Sequence, residues 1–118
     1  MVELKTELNP FRLSFGKDKN VELMVKVGND SDKTRTISCE IILSEHLAFE
    51  KNGRGTSKIL RMGKMKPGEN KINYFNIFPK ISLTKREQPI SIVAIEHFED
   101  KYDYILGKKS KTIYLRVE

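Results

Sequence analysis

Val21-Glu22-Leu23-Met24-Val25-Lys26-Val27 alternates along its length and runs straight into Gly28-Asn29-Asp30-Ser31-Asp32. Side chains on a strand point to opposite faces at every step, so Val21, Leu23, Val25 and Val27 share one face, opposite Glu22, Met24 and Lys26. Branched aliphatic residues suit a pleated, half-buried surface. The segment that follows is turn chemistry. Gly and Asn tolerate positive φ, and Asp and Ser bond back to nearby backbone. One strand with one buried face, ending in a tight turn, sets the reading for the rest of the chain.

Working outward, the same period of two recurs and the helical period is nearly absent. Phe11, Leu13 and Phe15 alternate before a turn at residues 16–20. Ile37, Cys39, Ile41 and Leu43 form another inward face opposite Thr36, Ser38 and Glu40. Residues 44–57 are irregular, broken by Asn52-Gly53 and Gly55. Residues 58–65 read as a short strand with apolar residues on both faces. Lys66-Pro67-Gly68-Glu69 is a turn in which Pro presets one central φ and Gly supplies the positive φ that follows. In the next strand Ile72, Tyr74 and Phe78 share a face, with Phe75 and Ile77 on the other, and Pro79 ends it. Pro89 introduces a segment in which Ile90, Ile92 and Ala94 oppose Val93 and Ile95, the pattern of a central or covered strand. Ile113, Leu115 and Val117 alternate in the last strand. Val2, Leu4 and Leu8 alternate well enough for an extra edge strand, although Asn9-Pro10 breaks residues 1–9 from Phe11 and a loose arm is the other reading.

About seven strands in a chain of this length predict an all-β, immunoglobulin-like antiparallel β-sandwich spanning residues 1–118 as a single domain. The single cysteine, Cys39, excludes an intramolecular disulfide, so packing alone holds the fold; a buried inert thiol is expected there.

The strand 21–27 with its Gly28-Asn29-Asp30-Ser31 turn, the turn Met65-Lys66-Pro67-Gly68-Glu69, and the closing Lys111-Thr112-Ile113-Tyr114-Leu115-Arg116-Val117 together resemble the CARDB-type domains. These are cell-adhesion-related, immunoglobulin-like modules of archaeal and bacterial proteins. The resemblance covers residues 20–118. It implies a seven-strand sandwich serving as an interaction or spacer module, with no catalytic residues to carry over. Members of that family usually stand in tandem within secreted, surface-attached proteins, and this chain departs from that arrangement.

Charge is the other signal. The chain carries 22 Lys and Arg against 16 Asp and Glu, a formal net charge of +6. Residues 51–68 contain Lys51, Arg54, Lys58, Arg61, Lys64 and Lys66 and no acid, so this window alone accounts for the excess. A local cationic surface attracts anions as evenly spread lysine does not.

In such a sandwich the loops after the strands at Val21, Lys58 and Pro89 meet at one end, which would then carry Asp30, Asp32, Glu99, Asp100 and Asp103, diluted by Lys33, Lys101, Lys108 and Lys109. The opposite end would carry Lys17, Lys19, Lys51, Arg54, Lys80, Lys85 and Arg86. Three readings of the basic end stand side by side. It is a solubilising surface, a docking site for an acidic protein face or a second copy, or a site for nucleic acid or anionic membrane. Six phosphate contacts would give a log–log salt slope of about −5.

The five acids at the other end are a candidate Ca²⁺ site, although their spacing is not that of an EF-hand loop. Asn52-Gly53-Arg54-Gly55-Thr56-Ser57-Lys58 lacks the spacing and strand-to-helix context of a phosphate-binding loop. His46 and His97 have no ligand-spaced partner, and no catalytic triad or carboxylate pair is legible.

The N-terminal residues lack a signal-peptide core, and no apolar run approaches the roughly 20 residues of a membrane span. The expectation is therefore a cytoplasmic protein, or an extracellular one if the chain is an excised domain. The expected role is a non-enzymatic protein-interaction or structural module with a basic loop pole, without cofactor or small-molecule substrate. The alternative is an electrostatic binder of nucleic acid or anionic membrane through the six cations at 51–66.

Overall fold

The computed structural model describes residues 2–10, 12–13, 20–80 and 87–117. Phe11, Phe15, the start of the turn at 16–20, and Lys17, Lys19, Lys85 and Arg86 lie outside the described residues. The described residues form strands and no helix. The strands are β1 (Val2–Asn9), β2 (Arg12–Leu13), β3 (Val21–Asn29), β4 (Arg35–Leu43), β5 (Leu47–Ala48), β6 (Ser57–Met65), β7 (Asn70–Pro79), β8 (Glu87–Phe98) and β9 (Lys101–Val117). They make two sheets, a four-stranded one in the order β1-β3-β7-β5 and a five-stranded one in the order β2-β9-β8-β4-β6.

The β3 reading holds at every position. Val21, Leu23, Val25 and Val27 are buried, and β3 sits inside its sheet between β1 and β7. Across the core, β4 contributes Ile37, Cys39, Ile41 and Leu43, and β8 contributes Ile90, Ile92 and Ala94. These side chains form one contiguous core between the sheets, closed by Leu13, Leu47, Phe49, Ile77 and Leu115. Each fully buried Val, Leu or Ile contributes roughly 1.5–3 kcal/mol.

The structure corrects the sequence reading in four places. First, the described residues form nine strands rather than about seven, because residues 2–9 form an edge strand along β3 and the short β5 is added, while the strand expected from Phe11 is described as β2. Second, the pairing is not wholly antiparallel, since β2 runs parallel to β9 at Arg12–Arg116 and Leu13–Val117. Third, the last strand begins at Lys101, because residues 101–112 are mostly exposed and no buried face imposes alternation on them. Fourth, the apolar residues of β6 change parity at a bulge. Ile37 pairs with Gly63 and Ser38 with Arg61, leaving Met62 as the extra residue. Met62 and Met65 are therefore both buried despite their odd spacing, and Gly63 takes φ +72° in the bulge. In β7 the inward residues are Phe75 and Ile77, while Ile72 and Tyr74 face solvent.

The described loops sort to two ends as the sequence suggested. The N–H of Asn29 donates to Glu69 O at 3.0 Å, and that of Gly68 donates to Asn29 O at 2.8 Å, so loops 30–34 and 66–69 lie together. Lys64 Nζ stands 3.4 Å from Asp100 Oδ2, bringing the β8–β9 turn to the same end. At the other end the N–H of Lys80 donates to His46 O.

Candidate interaction face

The six cations of 51–66 do not come together. Lys51 and Arg54 sit in the loop after β5, where the N–H of Glu50 donates to Arg54 O. Lys58 pairs in register with Ile41, so it takes the core-facing side of β6. There its ammonium lies 5.0 Å from the Phe49 ring centre and 5.5 Å from that of Phe75. Arg61 pairs with Ser38 and faces outward. Lys64 pairs with Asp100, and Lys66 stands in the Pro-Gly turn, where its N–H donates to Glu69 Oε1 at 2.9 Å. The first and last of these cations flank a strand pair about 26 Å long at roughly 3.3 Å per residue. A contiguous stretch of sequence became a line of cations because it forms a strand, and a strand spreads and alternates its side chains. The same geometry dilutes the acidic end: Lys64 and Lys66 join Asp30, Asp32, Glu69, Glu99 and Asp100 there. Asp103 lies in β9 rather than in the turn, and among the described residues no three His, Cys, Asp or Glu side chains group as metal ligands.

What the fold does assemble is the outward face of the five-stranded sheet. Register places its side chains in cross-strand rows from β6 to β9: Ile59, Glu40, Val93 and Ser110, then Arg61, Ser38, Ile95 and Lys108, then Lys64, Thr36, His97 and Ile105. Antiparallel sheets with one solvated face normally alternate apolar-in and polar-out. Here isoleucine stands on the outside, with Ile59 at 65 % exposure, Ile105 at 46 % and Ile42 at 43 %. β8 reads as covered in sequence because Val93 and Ile95 also stand on this outward face.

The β8–β9 hairpin folds its tip onto this face. Two extra stretches in β9, around residues 102–104 and at Leu106, break the register with β8. They let Tyr102 cross toward β6, where its hydroxyl accepts the Gly63 N–H at 3.1 Å. Its ring meets the His97 ring edge-on at 5.0 Å, and the Arg61 guanidinium lies 4.8 Å over it. Around this stack a shallow hollow of about 180 Å³ is bounded by Glu40, Ile59, Arg61, Ile95, Tyr102 and Ile105, with Ser38 and His97 at its floor.

Ser38 Oγ and His97 Nε2 share a hydrogen bond of 2.6 Å, and both residues are buried. His97 Nδ1 and Thr36 Oγ1 are buried without a hydrogen-bond partner among the described residues. A nucleophilic triad needs a third group at that ring nitrogen to fix the tautomer, and none is placed there. The sequence carried no signal for the Arg61–Tyr102 stack or the Ser38–His97 pair, because both depend on strand register.

Cys39 lies on the opposite, core-facing side of β4. Burial pushes its thiol up from 9.0 to about 11, with the neighbouring Glu40 carboxylate adding to the effect.

No family model matches this chain, and no curated protein matches it. Among solved structures it is similar to that of Spo0M, a sporulation control protein from Bacillus subtilis, with 14 % identity and a TM-score of 0.43 over 99 % of this chain. This chain spans about half (49 %) of that one, and the likeness is too loose to carry an inference. Among the described residues no helix is long and apolar enough to cross a membrane.

Proposed function

We propose that the chain is a non-enzymatic protein-interaction module, an immunoglobulin-like sandwich of the CARDB type, whose partner docks on the outward face of the five-stranded sheet. The observation that carries this reading is the Arg61–Tyr102 stack flanked by exposed Ile59 and Ile105. Arg and Tyr are the residue types most enriched at binding hot spots, and apolar neighbours around them exclude water from the contact. The two facing sheets and the shared core support the immunoglobulin-like class. The edge strand β1, the short β5 and the parallel β2–β9 pair are additions to the seven-strand plan.

The polyanion reading is the weaker one, since its six cations are divided among a loop, a core-facing edge, the sheet face and the far turn. The test compares two variants in affinity capture from the native cell. Arg61→Ala with Ile59→Ser should abolish recovery of a specific protein. Lys51→Glu with Arg54→Glu should leave it unchanged. If instead the loop variant alone removes the captured material, and that material is nucleic acid or lipid, the sheet face is not the site.

A further inference from the structure

A second surface, separate from the sheet face, lies along the open side of the sandwich where β1 and β9 run beside each other. β1 ends its sheet, and among the described residues β9 pairs with β2 only at Arg116 and Val117. Among the described residues no strand therefore pairs with residues 107–115 of β9 on the side away from β8. That leaves about 27 Å of sheet edge at roughly 3.4 Å per residue.

The side chains along this edge are of an unusual kind for their position. Lys109 pairs with Ala94, Lys111 with Ile92 and Ile113 with Ile90, and those three partners belong to the core. Directly paired residues share a face. Lys109 and Lys111 thus stand on the core-facing side of the sheet, yet both are exposed. Between the two strands runs a seam with hollows at either end. One, of about 270 Å³, is lined by Val2, Leu106, Gly107, Lys108 and Lys109 with Glu96, and the other, of about 350 Å³, by Leu8, Ile113, Arg12 and Arg116 with Glu7 and Glu87, so the acids stand at the two ends and the lysines of 108–111 hold the stretch between. From Tyr104 to Val117 the sequence contains no acid and four cations, Lys108, Lys109, Lys111 and Arg116. Nothing lies within 4 Å of where a Cβ on Gly107 would be, so another backbone has room to approach there.

An unpaired sheet edge offers a ladder of N–H and C=O groups, an apolar floor offers pockets for alternate side chains, and a cationic rim selects for charge. We infer that this seam takes an extended acidic polypeptide segment, which adds to the five-stranded sheet as a new strand along residues 107–115. A second copy of this chain fits less well, since it would set the lysine strip against itself, and like charges directly opposite destabilise a strand pair. A nucleic acid would use the lysines and leave the ladder unpaired.

The test uses a synthetic peptide of about ten residues alternating Val and Glu. A second peptide of the same sequence carries N-methyl groups on alternate backbone amides, which keeps its charge and removes its ladder donors. The expected result is binding of the first peptide at least about tenfold tighter than the second. Hydrogen exchange should slow in 107–115, and Lys109→Glu with Lys111→Glu should weaken binding by about tenfold or more. Arg61→Ala should leave this binding unchanged, which separates the seam from the sheet face. Failure of the first peptide to bind overturns the inference. So does equal binding by the N-methylated peptide, displacement by a single-stranded oligonucleotide of equal affinity, or slowed exchange confined to the β6 edge.

Discussion

Asn29 ties two loops together from the last position of β3. Its amide donates to Lys33 O and Met65 O, each at 2.8 Å. Its Oδ1 accepts from the Ser31 N–H and hydroxyl at 3.0 and 2.7 Å. Removing a buried partner leaves the other group unsatisfied, so Asn29→Ala should destabilise the fold by about 2–4 kcal/mol in urea unfolding. Thr36 is the converse case. Its buried hydroxyl has no hydrogen-bond partner among the described residues, and a valine keeps the branched shape, so Thr36→Val should raise stability by about 1 kcal/mol. Cys39 links burial to pH. Its thiol loses its proton near 9.0 when unfolded and near 11 when folded. Below pH 9 both states hold the proton and the full contribution is present. Between pH 9 and 11 the unfolded state ionises first and stability falls, by roughly 2–3 kcal/mol over the interval. Urea titrations of the protein and of Cys39→Ala across that range should diverge accordingly, and thiol reagents should react only on unfolding.

Among the elements, β3 was legible outright, because four inward aliphatics and a turn leave no other assignment. β7 was legible as a strand but not as to which face is buried; both of its faces carry apolar and aromatic residues, and only pairing with β3 selects Phe75 and Ile77. β6 was ambiguous because its bulge shifts the period by one, and a parity break resembles noise until the partner strand is known. The β8–β9 hairpin was the least legible. Its tip turns at Glu99, a non-glycine residue at φ +50°. An L-residue there carries a steric cost of about 1 kcal/mol, so Glu99→Gly should stabilise the hairpin by roughly 0.5–1 kcal/mol, less what glycine loses in chain entropy. Tyr102→Phe removes the hydrogen bond from Gly63 while keeping the ring on His97. It should cost about 1 kcal/mol in thermal or urea unfolding and speed amide exchange at Gly63.

For the molecule as a whole, charge is arranged as a line and not as a patch. A polyanion meeting the far loop finds Lys51 and Arg54 together, while Lys58, Arg61 and Lys64 are engaged elsewhere and Lys66 stands in the turn at the opposite end. Retention of the protein on DNA should therefore follow a log–log salt slope near −2, where a six-contact site would give about −5. A measured slope near −5 would mean that the window acts as one surface. The sequence showed how much charge there is and that it is concentrated; it did not show that alternation along β6 points Lys58 toward the core and Arg61 away from it.

The amino-acid sequence by itself determined the all-β class, the inward faces of β3 and β4, the Pro-Gly turn and the burial of Cys39. Each of these follows from side-chain period or backbone preference within a few residues. Tertiary structure decided the outward isoleucine face, the Arg61–Tyr102 stack, the Ser38–His97 pair and the open β1–β9 seam. Those depend on which strands lie side by side and in what register, and register is a property of contacts between residues distant in the chain.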